Sequence, residues 1–264
     1  MSRPNSLPAT MDSGAGDTAL FLLHGVGGGK QVWRDNLPAW AEAGYRTVAW
    51  DMPGYGDSDT IAPYTTAALA QSLNDLILHI GARRNVLVGH SMGGMVAQEL
   101  VAAHPGIVHG LVLSGTSPAF GRPGGNWQQQ FLRERFAPLD AGQSMAQLAA
   151  QLVPTMMAPL AEPQALAMAQ AVMAAVPQAS YRAALQAIVA FDRREDLAHI
   201  AVPTLCLAGE HDRNAAPEVV RRMAAHIASA QFLSLPAVGH LANMEKPDAF
   251  NTAVLAFLRA HFPV

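Results

Sequence analysis

The 264-residue chain predicts an α/β protein: a mostly parallel sheet covered by helices on both faces and interrupted by a helical insert. Three observations carry this. Short apolar runs alternate with helix-length stretches along most of the sequence. Those runs lack the polar alternation of a half-exposed strand, so they belong in a sheet buried on both sides. One long stretch, from Ser117 to Asp192, holds no strand candidate at all.

In chain order the strand candidates are Ala19 to Leu23, Arg46 to Trp50, Asn85 to Val88, Gly110 to Ser114, Thr204 to Ala208 and Gln231 to Leu235. The helices between them read as Trp33 to Ala43, Thr65 to Ile80, Met92 to Ala103, Pro217 to Ala228 and Pro247 to His261. Residues 117–192 are rich in Ala, Gln, Met and Leu and are punctuated by Pro138, Pro154, Pro159, Pro163 and Pro177, which suits several short helices. Both flanks read as neighbouring core strands. The insert is therefore expected to form a helical cap over a core made of residues 1–116 and 193–264, covering whatever site lies where the strands end.

Composition narrows the function classes. Half of the residues are apolar and 14% are charged, as in a well-buried globular enzyme. A formal charge of -3 offers no electrostatic reason to bind nucleic acid. No basic patch followed by an apolar run opens the chain, and no stretch reaches the roughly 18 apolar residues of a membrane span. A cytoplasmic protein is expected, with no membrane partner. Cys206 is the sole cysteine and sits in an apolar run, where a buried, inert thiol is the ordinary outcome.

The chemistry concentrates in four places. Gly89-His90-Ser91-Met92-Gly93, followed by Gly94, stands between a buried strand and a helix. A turn that sharp strains the backbone at its centre, needs glycines around it and pushes the serine hydroxyl out over the sheet. Ser91 is therefore the expected nucleophile. A serine hydroxyl needs a base, and His240, in a loop just after the last strand, is the histidine placed at the same sheet edge. The imidazole needs a carboxylate behind it. Gly209-Glu-His-Asp212 supplies Asp212, with Glu210 as competitor. Finally, acyl transfer needs two N–H groups aimed at the developing oxyanion. Met92 offers one; the loop His24-Gly25-Val26-Gly27-Gly28-Gly29 offers the other, from Val26 or else Gly27. Gly25, Gly27 and Leu241 are expected to line the substrate site.

The same glycine run fails as a nucleotide loop. A phosphate-binding P-loop would need Gly at His24 and Ser or Thr at Gln31, and a dinucleotide fingerprint would need Gly at Lys30. No metal-ligand spacing is present either, so no cofactor is expected.

Taken together, His24-Gly25, Asp51-Met-Pro-Gly-Tyr-Gly-Asp-Ser58, Gly89 to Gly94, Gly209 to Asp212, and Gly239-His240 leading to Glu245-Lys-Pro247 make the chain resemble the α/β-hydrolase superfamily from Ala19 to Phe262. The resemblance implies a cap between the sixth and seventh core strands and a floor shaped by Asp51 to Ser58, whose acids are not catalytic. It also implies an opening hairpin, for which this chain has room for little more than one strand. Within the superfamily the chain is similar to enol-lactonases, above all 3-oxoadipate enol-lactonases over Leu235 to Phe250, and to small carboxylesterases. Ser91 excludes the branches that use an aspartate nucleophile, and Leu241 stands where carbon-carbon bond hydrolases commonly carry Trp.

The expected activity is hydrolysis of a small, largely apolar ester or lactone through an acyl-enzyme, rising from acid toward neutral pH as the base loses its proton. Hydrolysis of a carbon-carbon bond, acyl transfer on the same triad, and ligand binding without turnover are the alternatives. Met156, Met157, Met168 and Met173 would furnish an apolar cap. Arg122, Arg133, Arg135 and Arg182 read as solvated unless one faces the pocket.

Overall fold

The computed structural model describes residues 6–121 and 125–264; Arg122 lies outside them. A seven-stranded sheet runs in the order β1-β3-β2-β4-β5-β6-β7, where β1 is Thr10–Ser13, β2 Thr18–Leu23, β3 Arg46–Trp50, β4 Arg84–His90, β5 Gly110–Ser114, β6 Thr204–Gly209 and β7 Ala230–Leu235. β1 pairs with β3 antiparallel and every other pairing is parallel.

Central strands β2, β5 and β6 are buried at every position, which explains their unbroken apolar sequence. The edge strand β7 differs from expectation. From Ala230 to Ser234 its residues alternate between half-buried and exposed, with Leu233 left in solvent, as befits a strand with no neighbour on one side; Leu235 is buried. β1 escapes the apolar signature for the same reason: Thr-Met-Asp-Ser is a half-exposed edge.

Helices fill the crossovers. α1 is Leu37–Glu42, α2 Thr66–Ile80, α3 Met92–Ala103, α4 Asn126–Asp140, α5 Met145–Met156, α6 Pro163–Ala174, α7 Gln178–Val189, α8 Pro217–Ala225, α9 Ala242–Glu245 and α10 Pro247–His261. Local chemistry sets several ends. The Thr65 hydroxyl accepts from the Ala68 N–H to start α2, and Gly81 at φ 65° stops it. Ser144 and Gln147 form a reciprocal capping box at α5. The single helix expected from Trp33 to Ala43 is instead a 3-10 turn, Lys30–Trp33, followed by α1, with Pro38 in the first turn of the latter. Pro138 and Pro154 lie inside α4 and α5 near their C-terminal ends rather than between helices.

α4 to α7 occupy the stretch between β5 and β6, the fifth and sixth strands in chain order. That corrects the expected place after the sixth strand: among the described residues one strand, β1, precedes β2. The two ends of the insert are zipped together. Ala119 and Asp192 form an antiparallel bridge, Phe120 N–H donates to Phe191 O and Arg193 N–H to Pro118 O. Among the described residues no helix is long and apolar enough to cross a membrane.

Candidate active site

At the end of β4 the chain turns straight into α3, and Ser91 takes φ 53°, ψ −119° as the residue between them. Such a conformation costs a non-glycine residue about 1–3 kcal/mol and persists only where the surroundings over-determine it. Here they do. Ser91 N–H donates to Ser114 O at 2.9 Å, and the Thr116 hydroxyl donates to Ser91 O at 2.8 Å. The glycines allow the close approach: a Cβ on Gly89 would fall 2.6 Å from Gly93 O, and one on Gly94 2.6 Å from Thr116 Cγ2. A Cβ on Gly93 would run into the Leu23 carbonyl.

His240 follows β7 in a buried loop, and its Nδ1 lies 2.8 Å from Asp212 Oδ2. The other oxygen of Asp212 accepts the N–H groups of Asn214 and Ala215 at 2.8 and 2.9 Å. Burial pushes the carboxyl pKa of Asp212 up, but His240 and these two N–H groups outweigh it and leave the pKa below the ordinary carboxylate value. An ionised Asp212 only accepts, so Nδ1 of His240 carries the donated proton and Nε2 of the neutral ring is left with a free lone pair. Glu210, the competing acid, is largely exposed and accepts from the Ala237 N–H instead. The loops bearing Asp212 and His240 meet because Gly209, at the end of β6, packs on the carbonyl of Gly239.

The glycine loop lies against the turn that carries Ser91. A Cβ on Gly25 would sit 3.0 Å from Ser91 Cβ, and one on Gly27 3.3 Å from Met173 Cγ of α6. Among the described residues the N–H groups of Val26 and Met92 donate no hydrogen bond within the protein. His24 pins the loop from beneath: Nδ1 donates to Gly25 O at 2.8 Å and Nε2 accepts from Met52 N–H at 2.9 Å. Asp51 completes the floor by accepting from the N–H groups of Lys30 and Asp57 and pairing with the buried Lys30 ammonium. Burial opposes the charge on Lys30, but its hydrogen bonds to Asp51 and Asp57 prevail and raise its pKa.

Ser91, His240, Gly25, Val26, Gly27, Met92 and Leu241 all line one cavity of about 350 Å³ between the strand ends and the insert. Asp212 sits behind its wall. Among the described residues the Ser91 hydroxyl makes no hydrogen bond within 3.5 Å, so hydroxyl and ring share the cavity without being bonded. Two of the four methionines singled out above, Met156 and Met173, reach the cavity; Met157 is buried elsewhere. Of the arginines, Arg135 lines the cavity with its guanidinium over the Phe131 ring. Arg182 pairs with Asp140, and Arg133 is exposed.

Three further residues shape the site. His90 is buried and donates through Nε2 to the His240 carbonyl at 2.8 Å, its ring tilted over that of His240. Burial first, then the nearby His240 ring, lowers its pKa to about 3, so it stays neutral. Gly115, at φ 54°, would place a Cβ 3.2 Å from both Asp212 Oδ2 and His240 Nδ1. Arg213 stands on the cavity wall beside Asn214. Only the neighbourhood of His90 to Ser91 hinted at any of these in sequence, since the others depend on which loops the sheet brings together. Among the described residues no three His, Cys, Asp or Glu cluster as a metal site.

Comparison with known proteins agrees with this architecture. A sequence profile described as alpha/beta hydrolase fold matches residues 18–247. A thermophilic esterase from Thermogutta terrifontis superposes with TM-score 0.87 at 26% identity, covering 96% of this chain and 93% of that one. An enol-lactonase from Burkholderia xenovorans LB400 superposes with TM-score 0.85 at 26% identity, covering 97% and 99%. A Mycobacterium tuberculosis protein carrying the name non-heme bromoperoxidase BpoC is 29% identical over 255 residues, 93% of this chain and 95% of its own. With the profile spanning most of the sequence and the mostly parallel sheet in keeping with it, the chain belongs to the alpha/beta hydrolase family.

Proposed function

We propose that the protein hydrolyses a carboxylic ester or lactone of a small, largely apolar substrate, with Ser91 as nucleophile, His240 as general base and Asp212 as the acid that orients it. The observation that carries this reading is the buried His240–Asp212 pair, 2.8 Å apart, opening on the same cavity as a serine held in strained backbone at a helix N-terminus. Nε2 of His240 takes the hydroxyl proton as Ser91 Oγ attacks the carbonyl carbon. The N–H groups of Met92 and Val26, uncommitted within the protein, receive the oxyanion, and removing one such donor costs about 2.7–4 kcal/mol in related chemistry. His240 returns the proton to the departing alcohol or enol, and water then cleaves the acyl-enzyme by the same route. Residues 117–192 serve as the cap that keeps bulk water from the acyl group.

The cavity wall supports the substrate class. It is largely apolar, with an aromatic trio, Phe120, Trp127 and Phe131, at ring separations of 4.8 to 6.0 Å. Among the described residues it holds two arginines, Arg135 and Arg213, and no carboxylate. A cationic substrate would meet like charge; neutral and anionic ones would not. Turnover of p-nitrophenyl acetate and butyrate by the wild type, lost in Ser91→Ala, tests the reading. A wild type that binds these esters without turnover, or a Ser91→Ala variant that still turns them over, rejects it.

A further inference from the structure

Glu245 is a deeply buried acid beside His240 that the scheme above leaves idle. It ends the short helix α9, is 3% exposed, and pairs with no Lys, Arg or His among the described residues. Its partners are three backbone N–H groups. Oε1 accepts from Leu241 N–H at 3.0 Å, while Oε2 accepts from Gly239 N–H at 3.0 Å and from Ala158 N–H at 2.8 Å. The first two flank His240 on either side. The third belongs to the segment joining α5 to α6 within the insert.

A carboxylate out of water is costly, and three N–H donors compensate it only while all three point at it. The loop from Gly239 to Glu245 is thus wrapped around one charge. Two more bonds complete the clamp: His240 N–H donates to Met156 O at 2.7 Å, and His90 Nε2 donates to the His240 carbonyl. Gly239 permits the contact, since a Cβ there would fall 2.6 Å from both Ala158 N and Met156 O. The backbone before the imidazole is therefore fixed to the insert, through Met156 O and through Oε2, which receives a bond from each part, while Oε1 holds the backbone after it.

We infer that Glu245 is a positioning residue: its carboxylate holds the His240 loop in register with Ser91 and ties that register to the seating of the insert. When the α5–α6 segment sits down, Ala158 and Gly239 share Oε2 and the ring is aimed. When it lifts, the clamp loses its shared acceptor and the ring loses its aim. The inference rests on the hydrolytic reading of Ser91 and His240.

Glu245→Gln tests it with little change of shape. One oxygen remains as acceptor, and the amide nitrogen that replaces the other turns its hydrogens toward an N–H donor, so at least one of the three bonds is lost. Steady-state turnover of p-nitrophenyl butyrate is measured per mole of folded protein, with far-UV circular dichroism establishing the fold. The predicted result is a fall in kcat of tenfold or more with KM changed less than threefold. The downfield imidazole N–H resonance of the His240–Asp212 pair should broaden or vanish. Unchanged kcat with that resonance intact would overturn the inference even if the melting temperature drops. Should Glu245→Gln not fold, Glu245→Asp keeps the charge but shortens its reach by one methylene. A fall in kcat of threefold or more then supports the role, and wild-type kcat rejects it. Failure of the underlying reading looks different: a wild type without turnover, or full turnover in Ser91→Ala, removes the hydrolase itself.

Discussion

Mild acid should destabilise this protein through two histidines that the fold keeps neutral. His24 is fully buried, with one ring nitrogen donating to Gly25 O and the other accepting from Met52 N–H, so a second ring proton would point at a donor. His90 is buried against the His240 ring. Burial lowers the pKa of His24 to about 4; burial and then the His240 ring lower that of His90 to about 3. In the unfolded chain both return to ~6.5. Between those values the unfolded state binds more protons, so stability is complete at neutral pH and is lost as pH falls below ~6.5. Each histidine then contributes a slope of about 1.4 kcal/mol per pH unit, and the pair about 2.7 near pH 5. From pH 7 to pH 5 the loss comes to about 4 kcal/mol, a large share of the roughly 5–15 typical of a folded domain. Asp212, whose pKa is lowered, belongs to a more acidic window: its contribution is present above the ordinary carboxylate value and is lost as pH falls through its folded pKa. Urea unfolding between pH 7 and pH 5 measures the slope directly. In His24→Gln the slope should fall to about half, or ~1.4 kcal/mol per pH unit. A urea midpoint that stays flat over this range, or a slope untouched by His24→Gln, refutes the reasoning.

Other outcomes follow from the same geometry. Asp212→Asn should preserve the fold while cutting kcat by about four orders of magnitude, the size of loss seen when a triad carboxylate can no longer fix its histidine tautomer; a loss under tenfold on p-nitrophenyl butyrate contradicts the assigned role. Gly115→Ala combines a positive φ with a methyl driven against the His240–Asp212 pair. It should cost about 1–2 kcal/mol in urea unfolding and lower kcat more than KM, whereas wild-type kinetics would mean the site yields easily. Arg135→Ala and Arg213→Ala should lower kcat/KM for an ester bearing a remote carboxylate more than for its methylated analogue. Equal losses on both esters would mean that the arginines do not read substrate charge.

The parts of the architecture written in local chemistry were legible in the sequence. β2, β5 and β6 are buried on both faces and read as unbroken apolar runs, and α3 and α10 begin and end where periodicity, glycine and proline place them. The neighbourhood of Ser91 was legible too, because a strand-to-helix turn with glycines at 89, 93 and 94 has few other uses. Edges were harder. β1 and β7 are half-exposed, so their residues answer to solvent as much as to the core, and with one described strand before β2 the insert follows the fifth strand in chain order. What depended on distant loops meeting was illegible. Glu245 enters the sequence only as part of the run leading to Pro247, and its tie to Ala158 of the insert needs the fold; Gly115 follows a strand candidate, and only the fold closes Asp212 and His240 over it. His90 belongs to the recognisable motif, yet its bond to the His240 carbonyl spans 150 residues of sequence.

Treatment with a fluorophosphonate, followed by tryptic digestion and mass spectrometry, asks whether residue 91 is the activated hydroxyl. Stoichiometric modification of the wild type should map to Ser91 alone and should slow by orders of magnitude in His240→Ala, whose serine has no base. Labelling elsewhere, or labelling of Ser91 at an unchanged rate without His240, would contradict the account.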